Sequence, residues 1–346
     1  MTTPESRIRI LVVDDSPLVR TVLATLLAQD PSLEIVGVAK NGKEAIALVP
    51  KLRPNLITMD IHMPEMDGCE CTKQIMAYHP TPILIISSSG VPGDRALIFK
   101  AIEYGALDVV ENTKILNSNS PEDAKQLIER VKTLARITVI THPLAKLEKK
   151  SAPAAVVADG PAVVVIASST GGPQALMTVL HGLPKNFPSA ILIVQHISQG
   201  FTEGLVEWLN AGSKITVKIA LDEAPLQPGI AYVAPSGFHM RVERGKIIRL
   251  SDGPPVDGQK PSGTVLFESV AASCGTRAVG LVLSGMGRDG ASGAKQLHQS
   301  GGHVIAQDEK SCVVFGMPKA AIDLGAVDEV LPLEKISHAL MAQVHS

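Results

Sequence analysis

In Ala167-Ser-Ser-Thr-Gly-Gly-Pro173 an apolar run ends in small polar residues and two glycines. Residues 174–181 then carry helical apolar spacing, so hydroxyl groups are presented at a strand-to-helix corner. Such a corner can hold a phosphate, carry a nucleophile or simply cap the helix. Neither G-x-x-x-x-G-K-[ST] nor G-x-G-x-x-G occurs there, which removes both nucleotide fingerprints. The residues fit small-x-Ser-x-Gly instead, close to a nucleophile elbow centred on Ser169. A serine hydroxyl needs a base to take its proton and an anion to orient that base. His196 follows the apolar run 190–194, and Asp289 lies in Gly285-Met-Gly-Arg-Asp-Gly290 after the run 279–283. His239, in Ala234-Pro-Ser-Gly-Phe-His239, is the competing base. Each has a plainer reading, as a helix cap, a structural histidine or a turn aspartate. Together, at three strand ends of one sheet, they point to serine hydrolysis, with the glycine-rich turn offering backbone N–H groups to an oxyanion. The order Ser…His…Asp differs from that of ordinary α/β-hydrolases.

A second set of polar residues stands earlier in the chain. Asp14 and Asp15 follow the run 8–13, Asp60 follows 56–59, and Ser87 ends 83–87. Open parallel sheets bind ligands at the carboxyl ends of their strands. Three carboxylates there form a hard oxygen site suited to magnesium, and a carboxylate beside that ion can accept a phosphoryl group. A lone aspartate at such a place would read as a helix cap.

The elements that must position these residues follow from the periodicity. Strands expected over 8–13, 33–38, 56–59, 83–87 and 107–110 alternate with helices over 17–28, 43–50, 69–78, 94–103 and 121–135. Between 137 and 160 the period is lost among Thr, Pro, Ala and Lys, as in a linker. Strands resume over 162–167, 190–194, 230–233, 279–283 and 303–306, with helical patterns between several of them. The expectation is α/β: two doubly wound parallel-sheet domains, over 1–136 and 161–346, joined by the linker 137–160. The composition agrees, with 45% hydrophobic and only 3% aromatic residues in 346. A formal net charge of -2 argues against a nucleic-acid surface, and no apolar run approaches the length of a membrane span. The four cysteines form no CxxC pair, which suits a reducing cytoplasm.

Ile10-Leu-Val-Val-Asp-Asp-Ser-Pro17 with Met59-Asp-Ile-His-Met-Pro-Glu-Met-Asp-Gly68 resembles a response-regulator receiver domain, of flavodoxin-like fold. The resemblance implies that Asp60 is the phospho-acceptor, that Asp14 and Asp15 join it in holding Mg2+, and that Ser87 contacts the phosphoryl group. It also shows departures, because Val109 stands where an aromatic residue is usual and Asn112-Thr113 where lysine-proline is usual. Lys114 follows two residues beyond the usual lysine position.

Ala167-Ser-Ser-Thr-Gly-Gly172, Gln195-His196 with Gly200-Phe-Thr202, and Gly285-Met-Gly-Arg-Asp-Gly290 resemble the Rossmann-like catalytic domain of the chemotaxis protein-glutamate methylesterases. That resemblance implies Ser169 as nucleophile, His196 as base, Asp289 as orienting acid, and backbone amides at Thr170 and Met286 as oxyanion donors. It implies demethylation of glutamate esters, and deamidation of glutamines, on methyl-accepting chemotaxis receptors. A CheA-type histidine kinase would be the phosphodonor, with peripheral contact to membrane receptors only and no cofactor for the esterase step. Lys260 and Gly263-Thr264 depart from the family's arginine-proline-serine-valine-aspartate, while Ser262 is kept. Two other readings belong to different classes: a regulatory binding module whose hydrolase site is idle, and a dinucleotide-dependent oxidoreductase, which the missing glycine fingerprint disfavours.

Overall fold

A computed structural model describes residues 7–87, 94–112, 121–139 and 163–344. The chain divides into two compact units, Met1–Glu148 and Lys149–Ser346. Most of the expected linker 137–160, together with Thr113 and Lys114, lies outside the described residues.

The first unit holds β1 (Ile8–Val13), β2 (Leu33–Ala39), β3 (Leu56–Met59), β4 (Ile83–Ser87) and β5 (Asp108–Glu111). They form one parallel sheet in the order β2-β1-β3-β4-β5. The chain reverses its direction across the sheet between β1 and β3, and a crevice opens at the carboxyl ends of strands at such a point. Asp14 and Asp60 stand at those two ends. The helix Pro17–Leu27 begins there because the Ser16 side chain accepts the N–H of Val19 and Pro17 is preset for a first turn. One element differs from expectation. The helix read as ending at Pro50 runs on to Leu52 and stops where Arg53 turns left-handed at φ 45°. A proline forgoes its own N–H bond and constrains what precedes it, so the residues after it can continue the turn.

The second unit is larger. Its strands are β6 (Val163–Ser168), β7 (Ala190–Gln195), β8 (Thr216–Ile219), β9 (Ile230–Val233), β10 (His239–Glu243), β11 (Ile247–Ser251), β12 (Ala278–Val282), β13 (His303–Gln307) and β14 (Glu329–Leu331). Seven of them form a parallel sheet, β14-β13-β12-β6-β7-β9-β8, while β10 and β11 pair as a separate antiparallel hairpin. The sequence pattern does not mark β8, β10, β11 and β14 as strands. β8 and β14 are short strands at the sheet edges, and the hairpin alternates over too few residues to separate from loop. His239 follows β9 as expected and also opens a further strand, β10. The central strands β6, β7 and β12 are buried along their whole length, which is why they read as continuous apolar runs. From β6 the chain builds outward through β7 to β9 and β8, then returns to lay β12 on the other side of β6. The switch point of this sheet is therefore the β6/β12 crevice.

Candidate functional site

Ser169 leaves the end of β6 and is tied across the crevice, its N–H donating to Ser284 O at 3.0 Å. The following helix, Gly172–His181, is capped by Gly171 with no side-chain hydrogen bond. Ser169 is thus not used as a helix cap. Gly171 sits at φ 75°, and a Cβ there would run into Val313 and lie 2.9 Å from Ser284 Oγ. Only glycine allows a turn this tight against that neighbour.

The adjacent serine does a different job. Ser168 Oγ donates to Gln195 Oε1 at 2.7 Å, and Gln195 Nε2 donates to Ser169 O and His196 O, each at 2.8 Å. Ser168 pairs in register with Gln195, and the His196 N–H donates to Ser168 O at 2.9 Å. One buried amide thus binds the carbonyls of the two residues that must cooperate. In the sequence Gln195 stands only within a motif; its signal is a polar residue closing a fully apolar strand. Ser284, just before Gly285-Met-Gly-Arg-Asp-Gly290, has no sequence signal of its own. It donates to Thr170 O at 2.8 Å and accepts Val314 N–H at 3.0 Å, bracing the same turn from β12.

His196 and Asp289 meet directly, Nε2 to Oδ2 at 2.7 Å, both buried. A carboxylate only accepts, so Nε2 carries the proton and Nδ1 is the free base. Nδ1 is buried and has no hydrogen-bond partner among the described residues. The ring is therefore turned the opposite way from the trypsin-type triad, in which Nδ1 faces the aspartate. Asp289 is itself held at the start of the helix Gly263–Cys274. Ser262 Oγ and Thr264 N donate to Oδ1 at 2.6 and 3.0 Å, and Gly263 N donates to Oδ2 at 2.6 Å. Burial works against ionisation of Asp289, but the His196 bond and charge, the Ser262 hydroxyl and the Thr264 amide outweigh it. Its carboxyl is held below the ordinary range. Hydrogen bonds to a charged group contribute roughly 1.5–3 kcal/mol each, so several together can overcome desolvation. The Gly263-Thr264 departure thus keeps its part through backbone amides. Lys260, in place of arginine, pairs with Asp252 at 2.6 Å and not with the triad.

His239 is not brought to Ser169 as a base. Its Nε2 lies 2.9 Å from Pro254 O and its Nδ1 accepts the Ser262 N–H at 3.2 Å, so both nitrogens are occupied. Thr170 follows Ser169 within the turn. Met286 lies partly exposed between Gly285 and Gly287 on the same sheet edge, and a Cβ at Gly285 would come 2.8 Å from Ser169 Cβ.

In the first unit Asp14, Asp15 and Asp60 each offer an oxygen, all within 4.8 Å of one another. Burial, then the nearby Asp14 charge, pushes Asp60 up to about 7, against partial relief from the amides of Ile61 and His62. Burial likewise raises Asp14 to about 6, aided by Asp15 and opposed by the Ser16 amide and Arg20. Crowded acids that resist ionising together fit a site completed by a divalent cation. Ser87 Oγ, at the end of β4, is buried without a hydrogen-bond partner among the described residues. Arg20, unnoticed in the sequence, donates to Asp14 O at 2.6 Å and brings a cation to the pocket rim. Val109 is buried within β5 and Asn112 follows that strand's end, where Glu111 pairs with Ser87.

The fold and the two sites define a class: a two-domain α/β protein with an acidic pocket at one switch point and a Ser–His–Asp constellation at the other. The CheB methylesterase family profile matches residues 164–340, and the response regulator receiver domain profile matches 10–132. Protein-glutamate methylesterase/protein-glutamine glutaminase 2 of Anaeromyxobacter dehalogenans (strain 2CP-C) is 44% identical over 333 residues, 96% of each chain. Protein-glutamate methylesterase/protein-glutamine glutaminase 1 of Syntrophus aciditrophicus (strain SB) is 43% identical over 342 residues, covering 96% of this chain and 97% of its own. The crystal structure of the Thermotoga maritima CheB methylesterase catalytic domain aligns with a TM-score of 0.52 at 40% identity, over 54% of this chain and 99% of that one. The chain belongs to the CheB methylesterase family, with a receiver domain preceding the catalytic domain.

Proposed function

We propose that this chain is a phosphorylation-regulated serine hydrolase that removes γ-methyl esters from glutamates of methyl-accepting chemotaxis receptors and deamidates glutamines there. The observation that carries the hydrolase reading is the His196 ring, bound through Nε2 to Asp289 at 2.7 Å with Nδ1 unpartnered among the described residues at the strand end beside Ser169. Ser169 Oγ attacks the ester carbon as its proton passes to His196 Nδ1. The C–O bond to the methoxy group then breaks, and His196 returns the proton so that methanol leaves. Water, deprotonated by the same nitrogen, cleaves the acyl-enzyme and restores the serine. Asp289 keeps the ring in the right tautomer and stabilises the imidazolium. Backbone amides of Thr170 and Met286 face the developing oxyanion. A glutamine side chain enters the same sequence with ammonia as the leaving group.

In the receiver, Asp14, Asp15 and Asp60 would hold Mg2+, whose charge would neutralise that of an incoming phosphoryl group. Asp60 accepts that group from a CheA-type histidine kinase, and Ser87 Oγ donates to one of its oxygens. The receptors' methylated helices would be met in the cytoplasm. Among the described residues no helix is long and apolar enough to cross a membrane. Purified protein incubated with methyl-labelled receptor membranes should release methanol, and Ser169→Ala should not. Equal release by both would sink the assignment of the nucleophile.

A further inference from the structure

The hydrogen bonds behind Asp289 continue beyond the groups the reaction needs. Ser262 caps the helix Gly263–Cys274, accepting Val265 N–H at 3.4 Å while its hydroxyl donates to Asp289 Oδ1 at 2.6 Å. The next two residues, Gly263 and Thr264, supply amides to the same carboxylate. Three of the four bonds that hold Asp289 thus come from one short stretch of chain, Ser262 to Thr264. That stretch is in turn hydrogen-bonded to His239. Its Nδ1 accepts the Ser262 N–H at 3.2 Å, and its Nε2 is 2.9 Å from Pro254 O. A carbonyl only accepts, so Nε2–H is the donor and Nδ1 the acceptor, one tautomer of a neutral ring. The ring bridges the two ends of the loop between β11 and the helix. It is buried at the start of β10, the strand that also receives the helix through Val242 N–H to Ser269 Oγ at 3.0 Å.

We infer that His239 is a positioning residue for ester hydrolysis: its Nδ1 sets the register of Ser262–Thr264, and through it the orientation of the Asp289 carboxylate that holds His196. This rests on the assignment of Ser169, His196 and Asp289 above. Losing the Nδ1 acceptor frees the Ser262 amide, and the three donors shift as a unit because they are consecutive on one chain. A misplacement of about 1 Å in a catalytic group costs on the order of a hundredfold. Substrate binding has no direct part in these contacts, so the loss should fall on kcat and spare KM.

Two substitutions separate this role from simple packing. Asn places a side-chain oxygen near the position of Nδ1, whereas Gln reaches the position of Nε2 and leaves the Ser262 amide without an acceptor. In the full chain acting on methyl-labelled receptor membranes, His239→Ala and His239→Gln should lower kcat by about tenfold to a hundredfold with KM little changed. His239→Asn should recover most of that loss. The downfield proton resonance of the His196–Asp289 hydrogen bond should persist in His239→Asn and broaden or move in His239→Gln. If Gln and Asn are equally active, or Gln the better of the two, the inference is wrong and His239 only anchors Pro254. Asp289→Asn serves as the reference. Should it keep full activity, the triad assignment itself fails; should it be inactive while all three His239 variants turn over normally, only the present inference falls.

Discussion

At the scale of single residues, the two adjacent serines carry unlike duties, and kinetics can separate them. Ser169→Ala removes the attacking oxygen and should lower turnover by ~10⁶, the size of the loss seen when a serine protease loses its nucleophile. Ser168→Ala removes one hydroxyl bond to Gln195, worth about 1 kcal/mol, and should cost about fivefold. Steady-state rates on methylated receptor membranes decide this; a dead Ser168→Ala beside an active Ser169→Ala would put the nucleophile one residue earlier. Asp289→Asn should fall near the ~10⁴ loss of a trypsin-type triad whose aspartate is replaced, because the amide no longer selects the Nε2–H tautomer. Asp289 accepts four hydrogen bonds, two of them from backbone N–H groups, and an asparagine NH2 would have to face at least one of those donors.

At the scale of elements, the receiver's strand ends carry an electrostatic conflict with a measurable pH dependence. Asp60 and Asp14 are raised to about 7 and about 6 from 3.8, so in the metal-free protein the folded state holds more protons than the unfolded chain between those values. Stability therefore falls as pH rises through that window; the contribution is fully present below pH 3.8 and gone above about 7. Thermal unfolding in chelator should show the receiver transition lower at pH 8 than at pH 5. Added Mg2+ should raise it more at pH 8, where the carboxylates are ionised and their repulsion has most to lose. A Mg2+ effect of equal size at both pH values would mean that these groups do not form the ion's site. Asp60→Asn should remove both the buried acid and the acyl-phosphate acceptor, so labelling by a small phosphodonor should disappear. Labelling that survives would move the acceptor elsewhere.

At the scale of the whole molecule, a receiver and a hydrolase on one chain imply control of one by the other. The catalytic domain of the Thermotoga maritima relative has been crystallised by itself, and 99% of it aligns with this chain. A fragment beginning near Pro161 should hydrolyse receptor esters faster than the unphosphorylated full chain, and a phosphodonor should close the gap only when Asp60 is present. Equal rates for fragment and full chain would show that the receiver does not restrain the site. Much of this organisation is legible in the sequence. Parallel strands buried on both faces appear as unbroken apolar runs, and the polar residues at their ends stand out against them. That contrast was enough to mark Asp14, Asp15, Asp60, Ser87, Ser169, His196 and Asp289 as candidates. The short strands β8, β10, β11 and β14 were not legible, because a few alternating residues at an edge differ little from loop. Local pattern also left His239 and His196 as rivals, since each follows similar text. Only the tertiary structure could separate them, because the difference lies in partners far along the chain: Asp289 for one, Ser262 and Pro254 for the other. The same holds for Gln195, Ser284 and Arg20. Sequence alone determines which side chains have the chemistry and which strand ends present them. Which ring nitrogen is the base, and what holds the acid, depend on hydrogen bonds between distant segments, and those exist only once the sheet has brought the segments together.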